Sequence, residues 1–515
     1  MSTAAEILAQ PFGTLSDLIA AHARERGDRT ALAQDDRTLS YAALDTAMNN
    51  VAAAIQREGV APRTAIAIAA APSIEYACAF LGALRAGCVP APLAPSSTGD
   101  QMAAMIADCG APILFLDAAA AATLGDRPVA AKRVALDDSD AGIPHRDFAR
   151  PGIPQPVAIA PDDPFNIIYS SGTTGTPKGI VQPHAMRWAH VIVNAEAGFG
   201  DGVTMISTPL YSNTTLVSFL PTLAWGGTAV LLGKFDAQRF LQMAEKHRAT
   251  HAMLVPVQYA RIMAMPDFNR YDLSAFRLKT CTSAPFSAAL KADILARWPG
   301  LLVEYYGMTE GGGTCVLIAN AFPDKLHTVG RPAEGHDIRL IDDDGNEVPP
   351  GEMGEVVGRS GAMMSGYHGR ADASSAAEWF DAEGNRFIRH GDVGRFDADG
   401  FLTLLDRKKD VIISGGFNIY PSDIEAVMAG HPDVADGTVV GVDSEEWGET
   451  PIAFYVPRSG GSSDPDAVLA WVNERVGKTQ RLRGIERVDE LPRSAIGKVL
   501  KRELRDRYQA ARTTA

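Results

Sequence analysis

A mostly apolar run, Phe165–Ile168, leads straight into Tyr169-Ser-Ser-Gly-Thr-Thr-Gly-Thr-Pro-Lys-Gly179. An apolar run that enters a Gly/Thr/Ser stretch reads as a buried strand opening into a turn. Three glycines let backbone N–H groups converge on an anion, the hydroxyls add donors, and Lys178 supplies a full positive charge. Such a loop is built to hold phosphates. It is not the Walker arrangement, because Pro177 precedes the lysine and Gly179 follows it, so no helix is expected to open on Lys178. A Ser/Gly linker would share the glycines, but not the lysine, the proline and the strand before them.

The rest of the chain must carry more than one core. At 515 residues it exceeds what a single hydrophobic core supports. A formal net charge of −14 argues against nucleic acid or an anionic membrane surface as the main partner. The five cysteines form no C-x-x-C pair and read as small buried side chains in a reducing compartment. The first residues lack a basic and apolar leader, and no apolar run reaches the ~18 residues of a membrane helix, so a cytoplasmic location is expected.

Strand and helix patterns alternate from Thr64 to Val255, which predicts parallel sheets flanked by helices. Two helices around a hairpin are expected over 14–60, with Ser40 capping the second. Residues 117–160 read as a surface connection, Pro183–Ala197 as a long helix and Phe219–Ala224 as a shorter one. Turns at Asp342-Asp-Asp-Gly-Asn346, Pro349-Pro-Gly351 and Asp397-Ala-Asp-Gly400 mark a β-rich stretch over 328–408. The expectation is therefore an α/β chain. A large N-terminal domain, 1–408, is built of αβ-layered sheets plus this β-rich subdomain, and a small mobile α+β C-terminal domain occupies 409–515.

The loop at 169–179 resembles the phosphate loop of the adenylate-forming superfamily, which contains acyl-CoA and aryl-CoA synthetases, peptide-synthetase adenylation domains and beetle luciferases. Further motifs follow in that family's order. Tyr305-Tyr-Gly-Met-Thr-Glu310 alone would be a plain strand-to-turn junction, but it matches the family's Y-G-x-T-E. The resemblance implies that Tyr306 stacks on adenine, Thr309 bonds the α-phosphate and Glu310 holds Mg²⁺, with Glu304, Tyr305, Gly307 and Met308 alongside. Ser283-Ala284-Pro285 occupies the place of the family's Gly-Ala-x-Pro adenine loop. Ser170, Ser171, Gly172, Thr173, Thr174, Gly175, Thr176 and Lys178 would take the phosphates. Arg389-His-Gly-Asp-Val-Gly394 resembles the element whose aspartate, here Asp392, binds the ribose diol, and Arg407 would be the second ribose or phosphate contact. The family's threonine there is His390.

Within Asp406-Arg-Lys-Lys-Asp410, Lys409 sits at the family's hinge. Ser414, Gly415, Gly416 and Phe417 match the glycine loop that lines the CoA tunnel in CoA ligases, although a hairpin turn would look the same. Leu491-Pro-Arg-Ser-Ala-Ile-Gly-Lys498 resembles the motif whose lysine serves the first half-reaction, so Lys498 is the expected catalytic residue with Thr309, Glu310 and Lys178.

The resemblance implies an ATP- and Mg²⁺-dependent ligase that makes an acyl-AMP and passes the acyl group to CoA. By the same resemblance Tyr211, Ser212, Asn213, Thr214, Val217, Ser283, Gly307, Met308, Gly312, Gly313 and Cys315 would line the acid pocket. Ser212 stands where many members carry a histidine or an aromatic residue. The triplet Gly311-Gly-Gly313 would leave that pocket roomy. A bulky or aromatic monocarboxylate, an arylalkanoate or a hydroxycinnamate, is the expected acid. A medium- or long-chain fatty acid, or a carrier-protein thiol as acceptor, stays open, as does a homodimer.

Overall fold

Ala65–Ala69, with the sequence Ala-Ile-Ala-Ile-Ala, is buried at every position, which requires a strand covered on both faces. It lies in an all-parallel sheet in the spatial order Val89–Pro92, Ala65–Ala69, Ile113–Leu116, Lys132–Ala135, Ile143–Pro144. The computed structural model describes residues 2–170, 178–415, 417–444, 446–458, 464–494 and 497–513. By contacts the chain forms two units. The first comprises Met1–His327, Pro332–Asp337 and Gly358–Ile388, and the second Thr328–Arg331, Ile338–Val357 and Arg389–Ala515. Among the described residues no helix is long and apolar enough to cross a membrane.

The first unit holds a second, larger sheet. Leu301–Tyr306, Leu278–Cys281, His251–Leu254, Val203–Ile206, Thr228–Leu231 and Thr30–Gln34 run parallel. Cys315–Ile318 and Arg37–Ser40 add antiparallel strands at its two sides. The helix Tyr41–Arg57 starts where Ser40 Oγ accepts the Ala43 N–H. It turns Tyr41, Leu44, Met48, Val51 and Ile55 into the core, and Tyr41 Oη donates to the Gly227 carbonyl at 2.7 Å. Spacing of about 3.6 residues predicted that face.

Three expectations need correction. Residues 117–160 are not only a connection: Ala118–Leu124 is a helix, and Lys132–Ala135 and Ile143–Pro144 extend the parallel sheet. An alanine helix has no amphipathic stripe, and two- and four-residue strands are too short to show a period. The predicted helix Pro183–Ala197 ends at Ile192, where Asn194 Nδ2 donates to the His190 carbonyl at 2.7 Å and occupies a last-turn acceptor. The helix expected over Phe219–Ala224 is Asn213–Trp225. Its Ser/Thr content and internal Pro221 disguise it, since these residues favour turns over helix interiors.

In the second unit Val434–Ser444 and Gly448–Pro457 form a long hairpin, joined by Ile412–Ser414, Phe417–Ile419 and Gly484–Arg487. Pro421–Ala429 and Pro465–Asn473 cover this sheet through Ile424, Met428, Val468 and Val472. The fold is α/β in its large N-terminal part, with a small α+β C-terminal domain. All five cysteines are free and buried, as their scattered positions predicted.

Candidate active site

In the first unit Pro164–Ser170 pairs antiparallel with Lys178–Pro183, with Ser170 opposite Lys178. Lys178 thus opens a strand rather than a helix, in keeping with the failed Walker match. Ser171, Gly172, Thr173, Thr174, Gly175 and Thr176 lie outside the described residues. The entry to the loop is anchored by Tyr169, whose Oη donates to Asp108 Oδ2 at 2.6 Å. Gly179 has no room for a side chain, since a Cβ would meet Ile167 at 2.7 Å.

A short third strand, Gly366–Tyr367, lies on the far side of Lys178–Pro183, with Tyr367 opposite Ile180. It carries a residue the sequence did not reveal. Tyr367 Oη donates to Glu310 Oε1 at 2.9 Å, and Lys178 Nζ sits 5.2 Å from the centre of the same ring. Nothing in Met-Met-Ser-Gly-Tyr distinguishes this tyrosine from a packed one. The Met364 N–H bonds the Glu310 carbonyl at 2.8 Å, so the segment also fixes the backbone that bears the carboxylate.

The Tyr-Gly-Met-Thr-Glu stretch leaves the strand Leu301–Tyr306 and is held by Gln182, whose Nε2 donates to the Thr309 carbonyl at 2.6 Å. Tyr306 is largely buried, Tyr305 half-buried, and Met308 packs near Ile180, Met364 and Ile388. The Glu304 side chain turns into the core and pairs with Lys291 on the helix Ala288–Arg297, leaving only its backbone for a ligand. Ser283 has φ +84°, a left-handed conformation suited to the glycine of the family's motif, and its Oγ lies 2.5 Å from Thr214 Oγ1. Ala284 and Pro285 follow in the same loop.

Asn213 and Thr214 form the first turn of Asn213–Trp225, and Val217 comes one turn later on Asn213's side. Ser212 is the buried residue before the helix and caps nothing with its side chain. Tyr211 is half-buried, and burial raises its hydroxyl pKa. Two glycines of the triplet, Gly311 and Gly312, do not leave open volume. A Cβ on Gly311 would meet the Ala362 carbonyl at 2.1 Å, and one on Gly312 would meet Ile388 at 2.6 Å. These two glycines let the 358–363 segment approach, which corrects the expectation that they leave room for a substrate. Gly307 is similarly close to Thr314, and Cys315 is fully buried.

The second unit gathers another group. Arg386–Phe396 and Leu402–Arg407 pair antiparallel with Asp392 opposite Arg407, and Arg407 Nε donates to Asp392 Oδ1 at 2.8 Å. His390 is buried, and its carbonyl faces Arg407 Nη1 at 3.4 Å. Lys498 lies within the electrostatic reach of both members of this pair and of Lys409. Burial, then Arg407, lowers its pKa to about 8, with Asp392 opposing. The Pro-Arg-x-x-x-Gly-Lys wording has a structural cause. Arg493 donates to the Gly497 carbonyl at 2.7 Å and pairs with Asp436 at 2.5 Å, while Gly497 takes φ +79°. Arginine and glycine together hold the tight turn that presents Lys498.

Lys409 lies in the 3₁₀ turn Lys408–Asp410. Ser414 pairs with Phe417, and Gly415 has φ +57° and lies against Trp447. Gly416 lies outside the described residues, and Phe417 is 60% exposed.

Residues 19–368 match the family model described as AMP-binding enzyme, and 423–498 match the AMP-binding enzyme C-terminal domain. The chain is 34% identical to feruloyl-CoA synthase of an Amycolatopsis species, over 94% of this chain and 97% of that one. It is 33% identical to indoleacetate–CoA ligase of Aromatoleum aromaticum, over 95% and 97%. The structure of ATP-bound MatB from Rhodopseudomonas palustris superposes with a TM-score of 0.84 at 27% identity, over 96% of this chain and 99% of that one. The chain belongs to the AMP-binding, adenylate-forming enzymes, among their AMP-forming acid–thiol ligases.

Proposed function

We propose that this enzyme joins a bulky or aromatic monocarboxylic acid to CoA at the expense of ATP, through an acyl-adenylate. The observation that carries the proposal is Lys498, within electrostatic reach of the Asp392–Arg407 pair at the end of the family's C-terminal motif. The aromatic acids named for two relatives support the substrate class.

A carboxylate oxygen attacks the α-phosphorus of ATP, the bond to the bridging oxygen breaks, and pyrophosphate leaves. Two anions must meet, so the protein's task is to offset their repulsion. Asp392 and Arg407 take the ribose, Tyr306 and Ser283-Ala284-Pro285 the adenine, and Lys178 with the 170–176 loop the outer phosphates. Thr309 bonds the α-phosphate, and the task of Lys498 is to offset the repulsion between that phosphate and the carboxylate. Glu310 suits a hard cation, because Tyr367 occupies one carboxylate oxygen and leaves the other for Mg²⁺, which would neutralise phosphate charge. In the second step the CoA thiol attacks the acyl carbonyl and AMP leaves. Lys498 withdraws as the 409–515 domain turns about Lys409, and Ser414–Phe417 line the thiol's path.

The test is pyrophosphate release over a panel from acetate to long-chain fatty acids, benzoates, arylalkanoates and hydroxycinnamates, with and without CoA. Turnover that needs CoA and favours aromatic acids supports the proposal. Acyl-AMP that accumulates and transfers only to a carrier protein overturns the choice of acceptor.

Two expectations follow directly. Tyr367→Phe removes the hydroxyl bonded to Glu310 but keeps the ring beside Lys178. It should raise the Mg²⁺ needed for half-maximal adenylation about tenfold and weaken Mn²⁺ binding in the ATP complex, read by electron paramagnetic resonance. The KM for the acid should hold. Adenylation should also fall as pH rises through about 8, because Lys498 then loses its proton. A Lys498→Arg enzyme, cationic throughout, should show no such decline in single-turnover pyrophosphate release.

A further inference from the structure

Arg187, on the helix His184–Ile192, is 3% exposed, and among the described residues no carboxylate pairs with it. A guanidinium buried without an anion is costly, so its hydrogen bonds must offset much of its desolvation. Its bonds show another use. Nε donates to Asn166 Oδ1 at 3.1 Å, and Nη2 donates to Gln182 Oε1. Gln182 then donates from Nε2 to the Thr309 carbonyl at 2.6 Å and to Asn213 Oδ1 at 3.3 Å.

Arginine only donates, whereas an amide can turn either way. With Arg187 on one side, Gln182 must present Oε1 to it and Nε2 to the other side. The Thr309 carbonyl only accepts, which agrees. Asn213 must then accept through Oδ1, and its Nδ2 is left as a donor in the first turn of Asn213–Trp225. The order of donors and acceptors is set in the core and read out at the helix start.

We propose that Arg187 is a positioning residue that, together with the Thr309 carbonyl, fixes the hydrogen-bond direction of Gln182 and Asn213, so that Asn213 offers an N–H donor to an acceptor oxygen on the acid substrate. This rests on the proposed function and on the family resemblance, which puts Asn213 at the acid pocket. The substrates it selects are acids bearing a hydroxyl, methoxyl or carbonyl oxygen over their plain hydrocarbon counterparts.

Gln182→Glu is the sharpest test. A carboxylate accepts from Arg187 and cannot donate to Asn213, so Asn213 turns and shows Oδ1 instead. Arg187→Met removes one of the two partners that order Gln182 and leaves the acceptor-only Thr309 carbonyl as the other. Acids are compared in pairs differing by one oxygen, such as cinnamate and its methoxy counterpart, by titration calorimetry, with pyrophosphate release measured alongside. Weaker hold on Thr309 affects both members of a pair and cancels in their ratio. The wild type should bind the oxygenated acid about tenfold more tightly, Gln182→Glu should reduce that ratio to about one, and Arg187→Met should reduce it less and melt lower, because the Thr309 carbonyl still orders Gln182 while two buried amide oxygens lose their donor. A wild type without preference, or a ratio preserved in Gln182→Glu, overturns the inference. Should Arg187→Met fail to fold, Gln182→Glu decides, since it gives Arg187 an anion. The ligase reading is judged separately, by whether the wild type releases pyrophosphate in a CoA-dependent way.

Discussion

Lys498→Ala should release pyrophosphate about 10²–10³ times more slowly than the wild type, while still converting synthetic acyl-AMP and CoA to thioester at a near-normal rate. The first half-reaction brings a carboxylate to a phosphate, and a cation between two anions screened from water is worth far more there than in water. The second has a neutral carbonyl and a leaving AMP, and in the proposed cycle Lys498 is no longer present. The lysine's setting makes the variant clean. Gly497 and Arg493 build the turn through backbone and side-chain bonds that do not use the ammonium group. Single-turnover assays of each half-reaction check this. Equal loss in both would mean that Lys498 supports the site's structure, and the division of labour would fall.

Lys291→Met should destabilise the protein by about 3–5 kcal/mol. Lys291 and Glu304 pair with side chains 1% and 6% exposed, and Lys291 also donates to the Leu326 carbonyl at 2.8 Å. Burial pushes the Glu304 carboxyl up to about 7 even against the pull of Lys291. Without the lysine that carboxylate has no countercharge. The loss should be largest at alkaline pH and shrink as pH falls through 7 and Glu304 takes a proton, because a raised folded pKa favours the folded state only where the group is protonated. Lys291→Met/Glu304→Met should recover most of the loss, since an apolar pair has no charge to desolvate. Urea titrations of the three proteins at pH 6 and pH 8.5 measure this, and an unchanged single variant would refute it.

The residues proposed for the nucleotide site stood out in the sequence because they cluster: loops of glycine, hydroxyl and one charge are rare enough to be singled out directly. The supporting residues were not legible in this way. Tyr367 meets Glu310 from 57 positions away, Gln182 meets Thr309 from 127, and Lys291 pairs with Glu304 through packing alone. No period or spacing encodes such meetings. The glycine triplet shows the converse limit. Three small residues look like room, but whether the room stays empty depends on a segment some fifty positions later. Parallel strands such as Ala65–Ala69 were plain because burial on both faces makes every residue apolar, while Lys132–Ala135 shows only two apolar positions.

The five buried cysteines have a practical consequence. Burial raises their thiol pKa values, to about 12 at Cys78 and Cys88 and about 11 at Cys109, so at neutral pH almost none is a thiolate. The native protein should be nearly inert to maleimide and iodoacetamide. One cysteine placed on the exposed surface of 409–515 would then take a fluorophore selectively without removal of the others. The rotation proposed for that domain could be timed by fluorescence against each half-reaction in an otherwise unaltered enzyme.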